Sequence, residues 1–304
     1  MPKNGVEQKP SETAMFAALR RAIANKEYKN QKFGPDYLAE FFLPPHFRFF
    51  LRFKKIRENT KTKLNDFLPG LNEYMIARTA YFDSLFVNAL NNKTAQIVLL
   101  GAGYDSRAYR FANSNLGTSV FELGIAPTQD RKIECLRKAR IDIPKHVTFV
   151  PIDFNRESLE DALEKVGFKS HQKTLFIWEG VSYYLNTESV NSTLEFVSKV
   201  SHHESLIAFD YTISIPEENI DEYYGVKEFA QTMKEHHGNE ELMFSIDEGK
   251  TGSFLEQRGL RMVDHLDNHE IERLFLQDEN GSLIDHITGH FRFVMATPEK
   301  KFRK

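Results

Sequence analysis

The chain has 304 residues, 41% of them hydrophobic, enough for one large α/β domain with a real core. A formal net charge of −3 gives no overall field for holding nucleic acid, and the single cysteine, Cys135, excludes an internal disulfide and suits a reducing compartment. No apolar run approaches about 18 residues, and residues 1–10 have neither a signal-peptide core nor an arginine-rich transit pattern, so a cytoplasmic protein without membrane association is expected.

Residues 1–10 read as a loose tail. Ser11 can cap a helix that places Met15, Leu19, Ala22 and Ile23 on one face. Residues 43–57 interleave aromatics (Phe47, Phe49, Phe50, Phe53) with Arg48, Arg52, Lys54 and Lys55. Such a pattern can meet nucleic acid or a membrane surface, but in an acidic chain the expectation is a helix with a buried aromatic side and solvated charges. A further helix is expected over 72–91, where Tyr74, Ala77, Tyr81, Leu85 and Ala89 recur every three or four residues. Arg78 lies beside that stripe, and on spacing alone it would pair at the surface with an acid such as Asp83.

The stretch over residues 96–110, QIVLLGAGYDSRAYR, organises the rest. Its apolar run, residues 97–100, is too short for a buried helix and breaks at Gly101-Ala102-Gly103, as a buried parallel strand does on turning into a helix. The glycines let a ligand lie against the backbone, and the N–H groups of the next helix attract negative groups. Glu122 ends the next apolar run at the distance where a second-strand carboxylate accepts hydrogen bonds from a ribose, which suits NAD and S-adenosylmethionine equally. Ser106 stands where the third glycine of a dinucleotide motif would be, and two more runs end in acids, at Asp153 and Glu179.

The alternation continues as strand 119–123, helix 127–141, strand 147–153, helix 157–167, strand 174–180, helix 187–201 and strand 206–212. That series predicts a parallel sheet with helices on both faces. Asp210 is either one more acid at the sheet edge or a plain strand terminator. Residues 213–246 read as a lid, 247–259 as a helix stopped by Gly259, 261–266 as a strand, and 290–297 as an antiparallel strand of mixed exposure. The pairs His265/His269 and His286/His290 have ligand-like spacing but lack a zincin glutamate or a cysteine partner, so no metal is expected. Cys135 reads as a half-buried helix thiol. Ser182 lacks the flanking glycines of a nucleophile elbow.

Five ordered motifs carry a resemblance. They are residues 13–20 (TAMFAALR), 77–83 (ARTAYFD), 100–105 (LGAGYD), 150–153 (VPID) and 178–180 (WEG) followed by Tyr184-Leu185. Together they resemble the leucine carboxyl methyltransferase family of class I S-adenosylmethionine-dependent methyltransferases. The resemblance implies a single Rossmann-like domain over 1–304, mostly parallel with an antiparallel C-terminal strand, in which residues 11–92 form a helical cap and 93–304 the core. It implies that Arg78 holds the cofactor's carboxylate. The site expected with it has Gly101 and Gly103 at the cradle, Glu122 on the ribose, Asp153 and the Phe154 backbone at the adenine, and Glu179 on the ammonium or orienting a tyrosine. Tyr183 and Tyr184 are the candidates for holding a methyl acceptor, expected to be a carboxylate of a small molecule or of a protein C-terminus. One departure stands out: the family reads Glu-Val-Asp-x-Pro after the second strand, and the second acid is here Gly124. An NAD-dependent oxidoreductase and a cofactor-binding protein without turnover are the alternatives.

Overall fold

The apolar run that follows Gln96 lies inside an eight-stranded sheet in the computed structural model, which describes residues 9–27, 36–236, 242–278 and 280–299. The strands are β1 (Gln96–Leu99), β2 (Ser119–Gly124), β3 (Val147–Pro151), β4 (Thr174–Trp178), β5 (Leu206–Ser214), β6 (Ile246–Asp247), β7 (Leu260–Leu266) and β8 (Phe291–Pro298). Their order is β3-β2-β1-β4-β5-β8-β7, with the two-residue β6 also pairing with β5. β1 to β5 run parallel, and β8 lies antiparallel to both of its neighbours. The expected class, a mostly parallel Rossmann-like sheet ending in an antiparallel strand, is the one observed.

Helices cover both faces: α1 (Glu12–Glu27), α2 (Pro45–Phe50), α3 (Lys54–Phe67), α4 (Leu71–Asn91), α5 (Arg107–Arg110), α6 (Ala126–Ala139), α7 (Leu159–Glu164), α8 (Thr187–Val200), α9 (Val226–His236), α10 (Thr251–Glu256) and α11 (Asn268–Phe275). Short polar residues start several of them by accepting N–H groups that the first turn leaves unpaired. Ser11 does so for Ala14, Ser158 for Asp161, Asn186 for Ser189, and Asp267 for Glu270 in a reciprocal capping box. At the start of α4, Gly70 has φ +74°, and a Cβ there would sit 2.4 Å from the Thr288 nitrogen, so no other residue fits.

Alternation along β1 divides the interior into two cores. Ile97 and Leu99 join Tyr74, Phe82, Phe86 and Phe293 of α4 and β8, while Val98 and Leu100 join Phe176, Trp178, Leu194 and Phe209 on the other face. Because β1 to β4 are parallel and in register, with Leu99 beside both Glu122 and Ile177, the loops that leave them share one edge of the sheet.

Three expectations need correction. β8 has no exposed face: it is a central strand, buried along almost its whole length between β5 and β7. Its Arg292 breaks the apolar pattern because its guanidinium is held by Gly289 O, Phe291 O and Glu248, and His290 just before it is held through Nδ1 by Thr288. The aromatics of residues 43–57 also do not form a buried side. Pro45 starts a six-residue helix that ends at Phe50, and neither α2 nor α3 buries a residue. The expected helix over 247–259 is shorter, with a turn closed by Lys250 N and Asp247 O before α10. His237 lies outside the described residues.

Candidate functional site

The loop after β1 bends as the glycine spacing predicts, with φ +72° at Gly101 and +45° at Gly103. Both glycines also serve packing. A Cβ at Gly101 would lie 2.5 Å from Val181 of the loop after β4, and one at Gly103 would lie 3.3 Å from Ala14 of α1. The helix that follows is only α5, four residues long, and Asp105 already accepts the Arg107 N–H at 2.7 Å, so the expected helix N-terminus is almost absent. Ser106, in place of the third glycine, is buried and donates to Asp36 at 2.8 Å.

A cavity of about 750 Å³ opens over this edge, within the range of small-molecule sites. Arg78, Gly101, Gly103, Asp153, Phe154, Glu179, Tyr183 and Tyr184 all line it. Gly124 does too, whereas Glu122 does not. Glu122 is fully buried, two residues before the end of β2 and on the face covered by α6, where Lys132 donates to it at 2.6 Å. Burial pushes its carboxyl above the usual range even with Lys132 beside it. The expectation that Glu122 reaches a ribose therefore fails: its position within the strand directs it into the protein, and the residue that reaches the edge is Gly124.

Arg78 is buried rather than exposed and does not pair with Asp83. Its Nε donates to Glu179 at 3.0 Å, and its Nη1 to Tyr183 at 3.1 Å and Asp210 at 3.3 Å. Among the described residues its Nη2 has no hydrogen-bond partner. Burial opposes its charge, but Tyr183, Glu179 and Asp210 outweigh that and hold the guanidinium protonated. Gly180, at φ +71°, makes the arrangement possible, since a Cβ there would lie 2.9 Å from Arg78 Nη1.

The acid that orients Tyr183 is Asp210 rather than Glu179. Asp210 is fully buried, receives the Gly180 N–H at 2.6 Å and the Tyr74 hydroxyl at 2.5 Å, and stands 3.5 Å from the Tyr183 hydroxyl. Glu179 instead bridges Arg78 and Arg107, with Arg107 Nη1 at 2.7 Å. From there cations and anions alternate: Arg107 pairs with Asp105 and Asp83, Asp83 grips Arg110 through both oxygens at 2.7 Å, and Arg110 and Arg21 meet at Asp36. Asp36 would be raised by burial, but Arg110 and Arg21 bring it below the usual range, and Arg107 does the same for Asp105. Sequence reading missed this lattice, although Asp105, Arg107 and Arg110 all lie inside the 96–110 stretch and their clustering was visible.

Part of the lining is apolar: Phe16 of α1, Leu64, Phe67 and Leu68 at the end of α3, and Phe229 and Met233 of α9. Thr232 ties α9 to α3 by donating to Phe67 O at 2.9 Å. The expected lid, residues 213–246, thus contributes α9 to the cavity wall, with residues 237–241 outside the description. The histidine pairs stand apart from it: His265 bonds Tyr211, His269 is exposed, His286 meets Glu272, and His290 is buried beside Thr288. Cys135 is buried in α6.

The leucine carboxyl methyltransferase family model matches residues 14–198. YktD of Bacillus subtilis, provisionally named an S-adenosyl-L-methionine-dependent methyltransferase, is 30% identical over 218 residues, which span 71% of this chain and 70% of YktD. A Mycolicibacterium smegmatis protein with the same provisional activity in its name is 28% identical over 67% of this chain and 68% of its own length. Among solved structures, a DUF574 family protein from Streptomyces avermitilis superposes with a TM-score of 0.62 at 12% identity, covering 96% of this chain and 98% of that one, which shows the shared fold. The chain belongs to the leucine carboxyl methyltransferase family of S-adenosylmethionine-dependent methyltransferases.

Proposed function

We propose that the protein transfers the methyl group of S-adenosylmethionine to a carboxylate oxygen of an acceptor with an apolar body. The observation that carries this reading is the chemistry of the cavity wall. Among the described residues it includes five arginines (Arg20, Arg21, Arg78, Arg107, Arg110) and no histidine or lysine. A phenol or alcohol has to lose a proton near neutral pH and calls for a positioned base. The candidates here are committed elsewhere: Glu179, Asp105 and Asp36 are each held by arginines, Asp153 pairs with Arg156, and burial first, then Asp210, keeps the Tyr183 hydroxyl protonated far above its usual range. A carboxylate is already ionised and is drawn to arginines, so positioning in a water-poor cavity suffices.

The residues present fit the cofactor at two of its three parts. Arg78, with Nη2 directed to no protein acceptor among the described residues, would hold the amino-acid carboxylate, and Glu179 beside it would face the ammonium. Asp153 with the Phe154 backbone would take the adenine, with Ile125 supplying apolar contact. At the ribose the fit is open, because Glu122 is turned inward and Gly124 carries no side chain. Gly101 and Gly103 would bring the backbone close to the cofactor. When bound, the sulfonium supplies an activated methyl whose carbon–sulfur bond breaks as the ester carbon–oxygen bond forms, with no proton to move. Tyr183 and Tyr184 would hydrogen-bond the acceptor, while α9 and the end of α3 exclude water.

The test is to label the product with a radioactive methyl group and expose it to mild alkali. A methyl ester releases volatile methanol. A label that stays on the product would show an ether or a carbon–methyl bond and remove the carboxylate from this reading.

A further inference from the structure

The segment from α2 through α3 carries seven Lys and Arg against two acids over residues 45–67, in a chain whose formal net charge is −3. Phe47, Phe49, Phe50, Phe53 and Ile56 are each between 37% and 53% exposed. Phe49 lies in α2, Phe53 is the extended residue that precedes α3, and Ile56 lies in the first turn of α3, so the exposed apolar side chains run across the break between the two helices. Phe49 packs edge to face on Phe50 and Phe53, with ring centres 5.7 and 5.5 Å apart, outside either core. Arg52, Lys55 and Lys63 meet no carboxylate among the described residues. Lys54 has only the exposed Glu58 at 3.5 Å, a pairing of little worth.

We propose that this face docks on the surface of an anionic lipid bilayer. An apolar aromatic face rimmed by basic residues places its rings at the headgroup level and its cations among the phosphates, and both contributions add. No helix among the described residues is long and apolar enough to cross a membrane, so the contact is peripheral. Two other occupants fit the face less well. Arg57 and Lys61 face Glu27 and Glu73, but a second copy would still bring two sets of Arg52, Lys55 and Lys63 together in a two-fold contact, which like-charge repulsion opposes. Single-stranded nucleic acid needs open ring faces for base stacking, and here the rings turn edges and faces to one another. The same α3 ends at Leu64 and Phe67 in the cavity wall, so docking brings the apolar side of the cavity towards the lipid. This inference stands whether or not the acceptor is a carboxylate.

The experiment is flotation of the full chain with vesicles of phosphatidylcholine alone or mixed with phosphatidylglycerol. The chain is expected to float with the mixed vesicles only and to be released in about 1 M salt, where the screening length is about 3 Å. Neutralising Arg52, Lys55 and Lys63 together (R52Q, K55Q, K63Q) weakens partitioning roughly a hundredfold, at about fivefold for each basic residue. Phe49→Ser with Phe53→Ser also reduces flotation, while melting temperature and S-adenosylmethionine binding stay as in the parent, which separates lost docking from misfolding. The proposal is overturned if the chain fails to float with mixed vesicles, floats equally with both kinds, or is unaffected by both sets of substitutions. A concentration-dependent dimer abolished by Phe49→Ser, or retention of a single-stranded oligonucleotide in place of vesicles, would assign the face to another partner and overturn it as well.

Discussion

Replacing Gly124 with Asp should tighten S-adenosylmethionine binding. A Cβ built on Gly124 finds its nearest neighbours, Ala102 N and Gly103 N, at 3.9 and 4.0 Å, ordinary van der Waals contact, so the side chain enters without displacing the loop after β1. A carboxylate there would sit at the cavity edge of β2 and accept hydrogen bonds from a ribose diol. Hydrogen bonds to a charged group contribute about 1.5–3 kcal/mol each, and every 1.4 kcal/mol is a factor of about ten in affinity. Asp105 and Asp153 line the same cavity and oppose a further negative charge, so one bond's worth, roughly ten- to a hundredfold, is the expected net gain. Calorimetry with S-adenosylmethionine and S-adenosylhomocysteine measures it. Gly124→Ala serves as the control for backbone stiffening, and a cofactor analogue without the ribose hydroxyls should show no gain. If Gly124→Asp melts like the parent yet binds no more tightly than Gly124→Ala, Gly124 does not face the ribose and the placement of the cofactor is wrong.

Three further outcomes are expected. Gly180→Ala forces a side chain into φ +71° and 2.9 Å from Arg78 Nη1, so it should cost about 1–3 kcal/mol of stability and at least tenfold in cofactor affinity. Unchanged affinity by calorimetry would detach Arg78 from the cofactor. Lys132→Met leaves Glu122 buried without its cation and should lower unfolding free energy by about 3–5 kcal/mol in urea titrations, with cofactor affinity of the folded protein preserved; a selective loss of affinity would return Glu122 to the site. Burial first, then Arg292, pulls His290 down from 6.5 to about 3. The unfolded chain therefore takes up a proton that the native chain refuses, and stability is lost as pH falls from about 6.5 towards 3, by about 1.4 kcal/mol per unit. His290→Gln should flatten that slope, and an identical slope would show that other groups set the acid limit.

Much of the sheet was legible because each parallel strand is a short apolar run ending in a glycine or an acid, and those endings mark the edge where the loops gather. What periodicity could not decide was side. Glu122 reads as a strand-tip acid when the apolar run ends at Leu123; the strand runs to Gly124, and Glu122 shares the face of Val120, under α6. Arg78 was visible on its helix, but its partners lie 101 and 132 residues away, at Glu179 and Asp210, distances that spacing along α4 cannot report. The aromatic segment failed for a different reason. Its composition allows a buried side, yet the helix starting at Pro45 ends after six residues, too few to lay a continuous stripe on the core.

The position of β8 between β5 and β7 bears on how the chain acquires its fold during synthesis. β5 is made with its β8-facing edge open, and β8 begins about 77 residues later. At ~5–20 residues per second, the ribosome needs on the order of 4 to 15 seconds to supply it. Through that interval the apolar strand β5 presents unpaired backbone groups to whatever is nearby, a template for mispairing with another nascent chain. Shortening the chain from its C-terminal end into β8 would make that interval permanent. Such truncations should therefore yield insoluble protein even though every residue lining the cavity, apart from Phe291, is still present.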